Sequence, residues 1–258
     1  MLQEYRISNE GKIITFDKVA NAIELLKMHE PPEGYYVAFS GGKDSIVMLD
    51  LIRKSGVKHE SFYNCTTVDP PELVSFIKKE YPDIGWNMPK MSMWQLILHK
   101  GFPPTRVCRY CCSILKESGG AGRLVVTGVR RAESSKRAGR RSVEHCSKKN
   151  MVTINPIVDW QDEDVWQYIK DNNMAYCLLY DEGFRRLGCI MCPLAGKEGM
   201  LKEAKRWPKH YNAYLRVFNK MIANGGETYE RWETGQDVMD WWIYNPPKGD
   251  NDQCVLFE

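Results

Sequence analysis

Along most of the chain, apolar residues follow two alternating rhythms. Short runs rich in β-branched and aromatic residues are followed by stretches with apolar residues at helical spacing. YYVAF at 35–39 is a run of the first kind, and HESFYNCTTV (59–68) and RLVVTG (123–128) are two more. FDKVANAIELLKMHE (16–30) has a helical period and stops before Pro31. DSIVMLDLIRKSG (44–56) is helical and ends at Gly56. PPELVSFIKKEYP (70–82) is a helix opened by prolines, and MSMWQLILHKG (91–101) is a helix closed by Gly101. NPIVDW (155–160) leads into DEDVWQYIKDNN (162–173), whose first turn is acidic, as a helix N-terminus favours. Strands alternating with helices predict an α/β fold: a parallel twisted sheet with helices on both faces. From Lys197 the pattern becomes helical, interrupted at Pro208, and the tail after Trp241 reads as irregular. The expected organisation is a helical lead-in over 1–30, a core domain over 31–195, and a helical C-terminal extension over 196–258.

Composition adds limits. The chain has 258 residues, 43% of them hydrophobic and 27% charged, which is ordinary for a globular protein. It holds no apolar run long enough to cross a bilayer, and MLQEYRISNEGK lacks the apolar centre of a signal peptide, so a cytoplasmic protein with no membrane association is expected. The net charge is only +3, but residues 123–149 carry nine Lys or Arg against two Glu. That excess suits an anionic ligand, a phosphate or nucleic acid, or else a solvated basic loop.

Two features carry candidate chemistry. The first is Ser40-Gly41-Gly42-Lys43-Asp44-Ser45, placed between a strand and a helix. Gly41 and Gly42 let the main chain approach a ligand, and successive N–H groups at a helix N-terminus make an anion site. Ser40 and Ser45 offer hydroxyls and Lys43 a mobile charge. Asp44 either caps the helix or helps hold magnesium. The spacing fits neither the G-x-x-x-x-G-K-[ST] loop nor the G-x-G-x-x-G fingerprint. The second feature is the cysteines, of which there are nine. Cys108, Cys111 and Cys112 form one tight group and Cys189 and Cys192 another. Two C-x-x-C spacings can meet in a four-thiolate site for zinc or an iron–sulfur cluster, and the plain alternative is buried free thiols. Arg130, Arg131 and Arg137 suit bidentate contacts to phosphate or sulfate, with Glu133 holding one of them by an ion pair. Asp69 either reads an adenine or ribose or caps the helix that follows it.

The six-residue string resembles the pyrophosphate-binding loop of the N-type ATP pyrophosphatases, the PP-loop superfamily, whose members split ATP between its α and β phosphates. Four further stretches resemble the phosphoadenosine phosphosulfate (PAPS) reductase branch: CCSILK (111–116), TGVRRAESSKR (127–137), NPIVDWQDEDVWQYI (155–169) and YDEGFRRLGCIMCP (180–193). The resemblance implies an adenine nucleotide alpha hydrolase-like fold. It implies nucleotide binding by Ser40, Gly41, Gly42, Lys43, Asp44, Ser45, Asp69, Gly128, Arg130, Arg131 and Arg137, with Lys43, Asp44 and Arg130 in catalytic roles. It also favours a 4Fe–4S cluster over zinc. Cys111, Cys189 and Cys192 are the firmest ligands. For the fourth, C-x-x-C symmetry argues for Cys108 and the family's tandem pair for Cys112.

The chain departs from the sulfonucleotide reductases in two places. Their tails carry a nucleophilic cysteine in E-C-G-[LI]-H, whereas this tail reads DQCVLFE, with Cys254 lacking the glycine and histidine. Their phosphate loops are usually altered, whereas this one keeps the full SGG-x-DS string, as in ATP-cleaving relatives such as the DNA phosphorothioation ATPase and tRNA thiolation enzymes. The expectation is an iron–sulfur ATP pyrophosphatase that uses ATP and Mg2+ to adenylate an acceptor so that sulfur can replace oxygen. The acceptor includes nucleic acid among its candidates. Two alternatives stand beside it. One is a PAPS or adenylyl sulfate reductase using Cys254 and a thioredoxin-like thiol. The other is a non-catalytic nucleotide- or nucleic-acid-binding subunit of a complex.

Overall fold

The computed structural model describes residues 2–7, 11–117, 119–146, 151–225 and 232–244. Its centre is a six-stranded sheet in the order β5-β4-β3-β6-β8-β7. The chain enters through an antiparallel hairpin, β1 (Gln3–Ile7) and β2 (Ile13–Asp17), and then α1 (Lys18–Met28). Asp17 caps α1 by accepting from the N–H groups of Val19 and Ala20.

β3 (Tyr35–Phe39) is buried along its whole length, as expected for the centre of a parallel sheet. α2 (Lys43–Ser55), β4 (His59–Asn64), α3 (Pro71–Glu80) and β5 (Gly85–Asn87) build outward on one side. α4 (Met93–Lys100) follows, closed by Gly101 in the left-handed conformation. The chain then crosses to the other side of β3 with β6 (Leu124–Val126), β7 (Val143–Cys146) and β8 (Met151–Ile154). β3, β4, β5, β6 and β8 run parallel, and β7 is an antiparallel edge. Strand order therefore reverses between β3 and β6. The loops after these two strands flank the crevice where α/β folds bind ligands.

The observed class is the expected α/β one, a mostly parallel sheet with helices packed against it. Three details differ from the pattern-based expectation. The lead-in holds a hairpin ahead of its helix, β5 is short, and β7 turns the edge antiparallel. QEYRI and VEHC carry polar residues on strands with an open side, so they lack the apolar run that marked β3.

α5 (Asp162–Asp171) packs beside α2, and α6 (Gly196–Arg206), α7 (Pro208–Ala223) and α8 (Gly235–Tyr244) make up the helical stretch that follows residue 195. Pro208 opens α7 at a position where its missing N–H costs nothing. Tyr214, Phe218, Met221 and Trp242 of the extension share one apolar core with Phe39, Leu49 and Ile97. Among the described residues no helix is long and apolar enough to cross a membrane.

A buried ion pair ties the lead-in to α5. Lys18 Nζ lies 2.5 Å from Asp164 Oδ2, and Glu4 completes the contact at 2.5 Å. Burial alone raises the Asp164 carboxyl, but the Lys18 ammonium and the Gln161 N–H leave it below its ordinary value of 3.8. Its contribution to stability is thus complete above that value and is lost as pH falls below it. Asp164→Asn should cost about 3 kcal/mol in denaturant unfolding near neutral pH. The gap from wild type should narrow below about pH 4. Equal unfolding midpoints at neutral pH would contradict this account.

Candidate functional site

The turn after β3 reverses the chain within Ser40–Gly42 before α2 begins. Gly41 has φ +71°, and a Cβ there would meet the Ile77 side chain at 2.7 Å. This position needs glycine for both conformation and space. The turn is braced internally. Ser45 Oγ donates to the Gly42 carbonyl at 2.9 Å and accepts from Ser40 N–H at 3.3 Å and Ser40 Oγ at 3.1 Å. The Lys43 N–H donates to the Tyr180 hydroxyl at 2.8 Å.

A wide cavity opens over this turn. Its lining includes Ser40, Gly42, Lys43, Asp44, Ser45, Asp69, Gly128, Arg130 and Arg137. Gly41 and Arg131 do not line it. Gly41 faces α3, and Arg131 bonds Asp159 and the Arg140 carbonyl. Gly41 thus shapes the turn, and Arg131 is engaged with Asp159 and the Arg140 carbonyl beside the cavity. Gly128 is a close-approach glycine, since a Cβ there would sit 2.9 Å from the Asp44 carbonyl oxygen. Asp69 accepts from the N–H and hydroxyl of Thr66, both at 2.7 Å, and does not cap α3.

Four charged side chains lock the mouth of the turn. Arg130 Nε donates to Asp44 Oδ1 at 2.6 Å, and its Nη2 to Asp162 Oδ1 at 2.8 Å. Its Nη1 donates to the Trp160 carbonyl at 3.2 Å. Lys43 Nζ lies 3.0 Å from Asp162 and 3.3 Å from Asp44. Burial raises the Asp162 carboxyl, yet Lys43 and Arg130 hold it below its ordinary range overall. Arg130 is only 2% exposed, and its three guanidinium nitrogens face protein acceptors. Its geometry is that of a strut, not of a bidentate phosphate clamp. Glu133 holds Arg137 by an ion pair and accepts from the Arg130 N–H.

Sequence reasoning missed Asp162, Tyr180 and Lys116 as members of the site. Only the acidic first turn of α5 hinted at Asp162. The basic segment is also less available than its composition suggests. Arg123, Arg130, Arg131, Arg137 and Arg140 each pair with a carboxylate. Lys148 and Lys149 lie outside the described residues.

A second, small apolar cavity holds the cysteines. Cys111, Cys112, Cys189 and Cys192 line it with Met93, Leu115, Lys116, Tyr214 and Trp242. Cys108 is exposed and does not line it. A single wide turn of helix over Cys112–Lys116 brings the tandem pair and Lys116 to one side. The hydrogen bond from Cys111 pulls the Cys112 thiol down, helped by Lys116 and Arg109, while Cys111 is pushed up. Arg109 Nη2 reaches Cys112 Sγ at 3.5 Å. Burial lowers the Lys116 ammonium, but Cys189, Cys112 and Cys192 raise it overall, so it stays cationic. Among the described residues no group of three or more His, Cys, Asp or Glu side chains is placed to hold a metal ion as they stand. The donor set still fits a thiolate-bound metal: four sulfurs share one dry cavity, with two cations beside them to offset negative charge. Lys116 and Pro193 line both this cavity and the wide one.

Removing the strut should be costly, because it leaves two carboxylates with only Lys43. Arg130→Ala should lower unfolding stability by about 3 kcal/mol. Arg130→Lys should recover only part, since one ammonium cannot span both carboxylates and the Trp160 carbonyl. An unchanged denaturation midpoint for Arg130→Ala would refute the strut.

Comparison with known proteins agrees with this layout. Residues 34–195 match the phosphoadenosine phosphosulfate reductase domain. The chain is 31% identical over 251 residues to an uncharacterized protein of Methanocaldococcus jannaschii, covering 90% of this chain and 60% of that protein. It thus spans less than two thirds of that relative's length. It is 27% identical over 181 residues to the adenosine 5'-phosphosulfate reductase of Oceanobacillus iheyensis, covering 66% of this chain and 75% of that enzyme. The solved phosphoadenylyl-sulfate reductase of Candida auris, a phosphate complex, shares the fold with a TM-score of 0.51 at 19% identity, over 71% of this chain and 96% of that one. With its matched region spanning the sheet, the glycine turn and both cysteine groups, the chain belongs to the phosphoadenosine phosphosulfate reductase family.

Proposed function

We propose that this family member splits ATP between its α and β phosphates and adenylates an acceptor for sulfur transfer. The complete SGGKDS turn carries this reading. It sits at the strand-order reversal, with the first-turn amides of α2 and the Lys43 ammonium beside one cavity. An acceptor hydroxyl oxygen attacks the α phosphorus. The bond from that phosphorus to the bridging oxygen breaks, pyrophosphate leaves with the bonding electrons, and the hydroxyl proton passes to solvent. The fixed N–H groups stabilise the charge that develops on the departing pyrophosphate. Lys43 exchanges its carboxylate partners, Asp44 and Asp162, for phosphate oxygens. Asp44 and Asp162 then offer hard oxygen donors of the kind Mg2+ takes, and the ion would neutralise phosphate charge. Tyr180 holds the first amide of α2 and closes the turn from above. Cys111, Cys112, Cys189 and Cys192 would hold a 4Fe–4S cluster, which supplies a redox-active or sulfur-handling centre.

Sulfonucleotide reduction remains a second reading, favoured by the reductases among the relatives. Its nucleophile would be Cys254, which lies outside the described residues. Anaerobic incubation with labelled ATP, PAPS and adenylyl sulfate separates the two. The proposal expects ATP to be bound and converted to AMP and pyrophosphate. Absence of ATP binding together with tight PAPS or adenylyl sulfate binding would overturn it.

The cavity lining supports Cys112 over Cys108 as the fourth ligand. Cys108→Ser should keep full iron and sulfide content after anaerobic purification, and Cys112→Ser should lose most of it. The reverse pattern would defeat this ligand set, and a colourless zinc protein would defeat the iron–sulfur assignment.

A further inference from the structure

The loop that carries Cys189 and Cys192 is held in place by the C-terminal extension. Met191, between the two cysteines, has φ +61°. A non-glycine residue in this left-handed region is strained and persists only where its surroundings impose it. The imposing contacts are visible. The Met191 N–H donates to Glu203 Oε2 on α6 at 2.5 Å, which places the carboxylate beside the Met191–Cys192 backbone. The neighbouring Ile190 carbonyl accepts from the Tyr214 hydroxyl on α7 at 3.1 Å, and the Ile190 N–H donates to the Val68 carbonyl at 2.8 Å. Among the described residues Glu203 forms no ion pair with a lysine or arginine within 4.0 Å. Glu203 is half-buried, with the Arg186 charge nearby, and the hydrogen bond its carboxylate accepts comes from the cysteine loop. α6 and α7 lie beyond residue 195, where the family match ends.

We infer that Glu203 is a positioning residue for the cysteine centre. Its carboxylate fixes the Met191 and Cys192 backbone so that the thiols of Cys189 and Cys192 face those of Cys111 and Cys112. Tyr214 supports the same loop from the carbonyl side. The inference rests on the reading of the four cysteines as a metal centre. Without the carboxylate, Met191 relaxes out of the left-handed region, and one pair of sulfurs turns away from the other.

The test compares wild type with Glu203→Gln, Glu203→Asp and Glu203→Ala, all purified anaerobically and checked for folding by circular dichroism. Iron, sulfide and zinc per chain are measured first, then the rate of metal release to a chelator. Glu203→Ala should release metal at least about ten-fold faster than wild type, the range seen when an outer partner of a metal ligand is lost. Glu203→Gln should stay close to wild type, because its amide oxygen still accepts an N–H. Glu203→Asp keeps the charge but is one methylene short of the loop, so it should also release faster. It decides the matter where Glu203→Ala fails to fold. A folded Glu203→Ala or Glu203→Asp that holds metal as long as a metal-loaded wild type overturns this inference alone. A Glu203→Gln as leaky as Glu203→Ala also overturns it, because the effect would then belong to charge. A wild type that holds no metal overturns the inference and the metal-centre reading together.

Discussion

Arg130 lies between Asp44 and Asp162, and the rest of the site is arranged around that buried guanidinium. It joins the N-terminus of α2, the loop after β6 and the N-terminus of α5, segments that are far apart in sequence. Lys43 closes the set, so two cations face two carboxylates and their charges balance. Gly128 allows the loop after β6 to come within contact of the α2 backbone. The glycine turn is thus fixed by its neighbours as much as by its own residues. A rigid turn keeps its N–H groups aimed without reorganisation when charge develops, which is the condition for electrostatic stabilisation to count. The balanced quartet also explains how a site for a highly charged ligand can exist without a cluster of unpaired cations. In the proposed reaction phosphate oxygens would take over from carboxylates already in place.

The central part of the fold was legible because it obeys simple rules. β3 reads as a continuous apolar run, α2 and α4 end at glycines with positive φ, and α5 begins with acidic residues. The edges were not legible. β1 and β7 pair on one side only, so their residues alternate or turn polar and look like loop. The same limit applies to the site. The string 40–45 identifies itself, but the partners that hold it do not. Asp162 and Tyr180 lie in stretches that resemble the family, but nothing in those stretches says that these two side chains hold the turn. The three arginines of the 127–137 stretch look alike in sequence, yet Arg130 is a strut, Arg137 lines the cavity against Glu133, and Arg131 lies outside it. Residue type was readable and the direction of the side chain was not.

The cysteines show how spacing and packing answer different questions. Cys108 and Cys111 have a metal-ligand interval, but the interval alone does not say which way each thiol points. The wide helical turn at Cys112–Lys116 directs Cys111 and Cys112 inward and leaves Cys108 at the surface. The tandem pair is awkward on symmetry grounds. It is reasonable once the turn is seen, because Lys116 from the same turn and Arg109 from the preceding one come with it.

Lys116 links the two halves of the site. Burial works against the Lys116 charge, and the sulfur that can offset it near neutral pH is that of Cys112, whose thiol is pulled down while Cys189 and Cys192 are pushed up. The same side chain also lines the wide cavity. Its charge is therefore felt on both sides of a thin wall, and a change in charge in one cavity alters the field in the other. The extension belongs to this arrangement for the same reason. Tyr214 and Trp242 wall the cysteine cavity, and Glu203 holds its loop, so α6 to α8 complete the core domain's inner surface instead of standing beside it. The end of the family-matched region at residue 195 accordingly falls within one continuous apolar core.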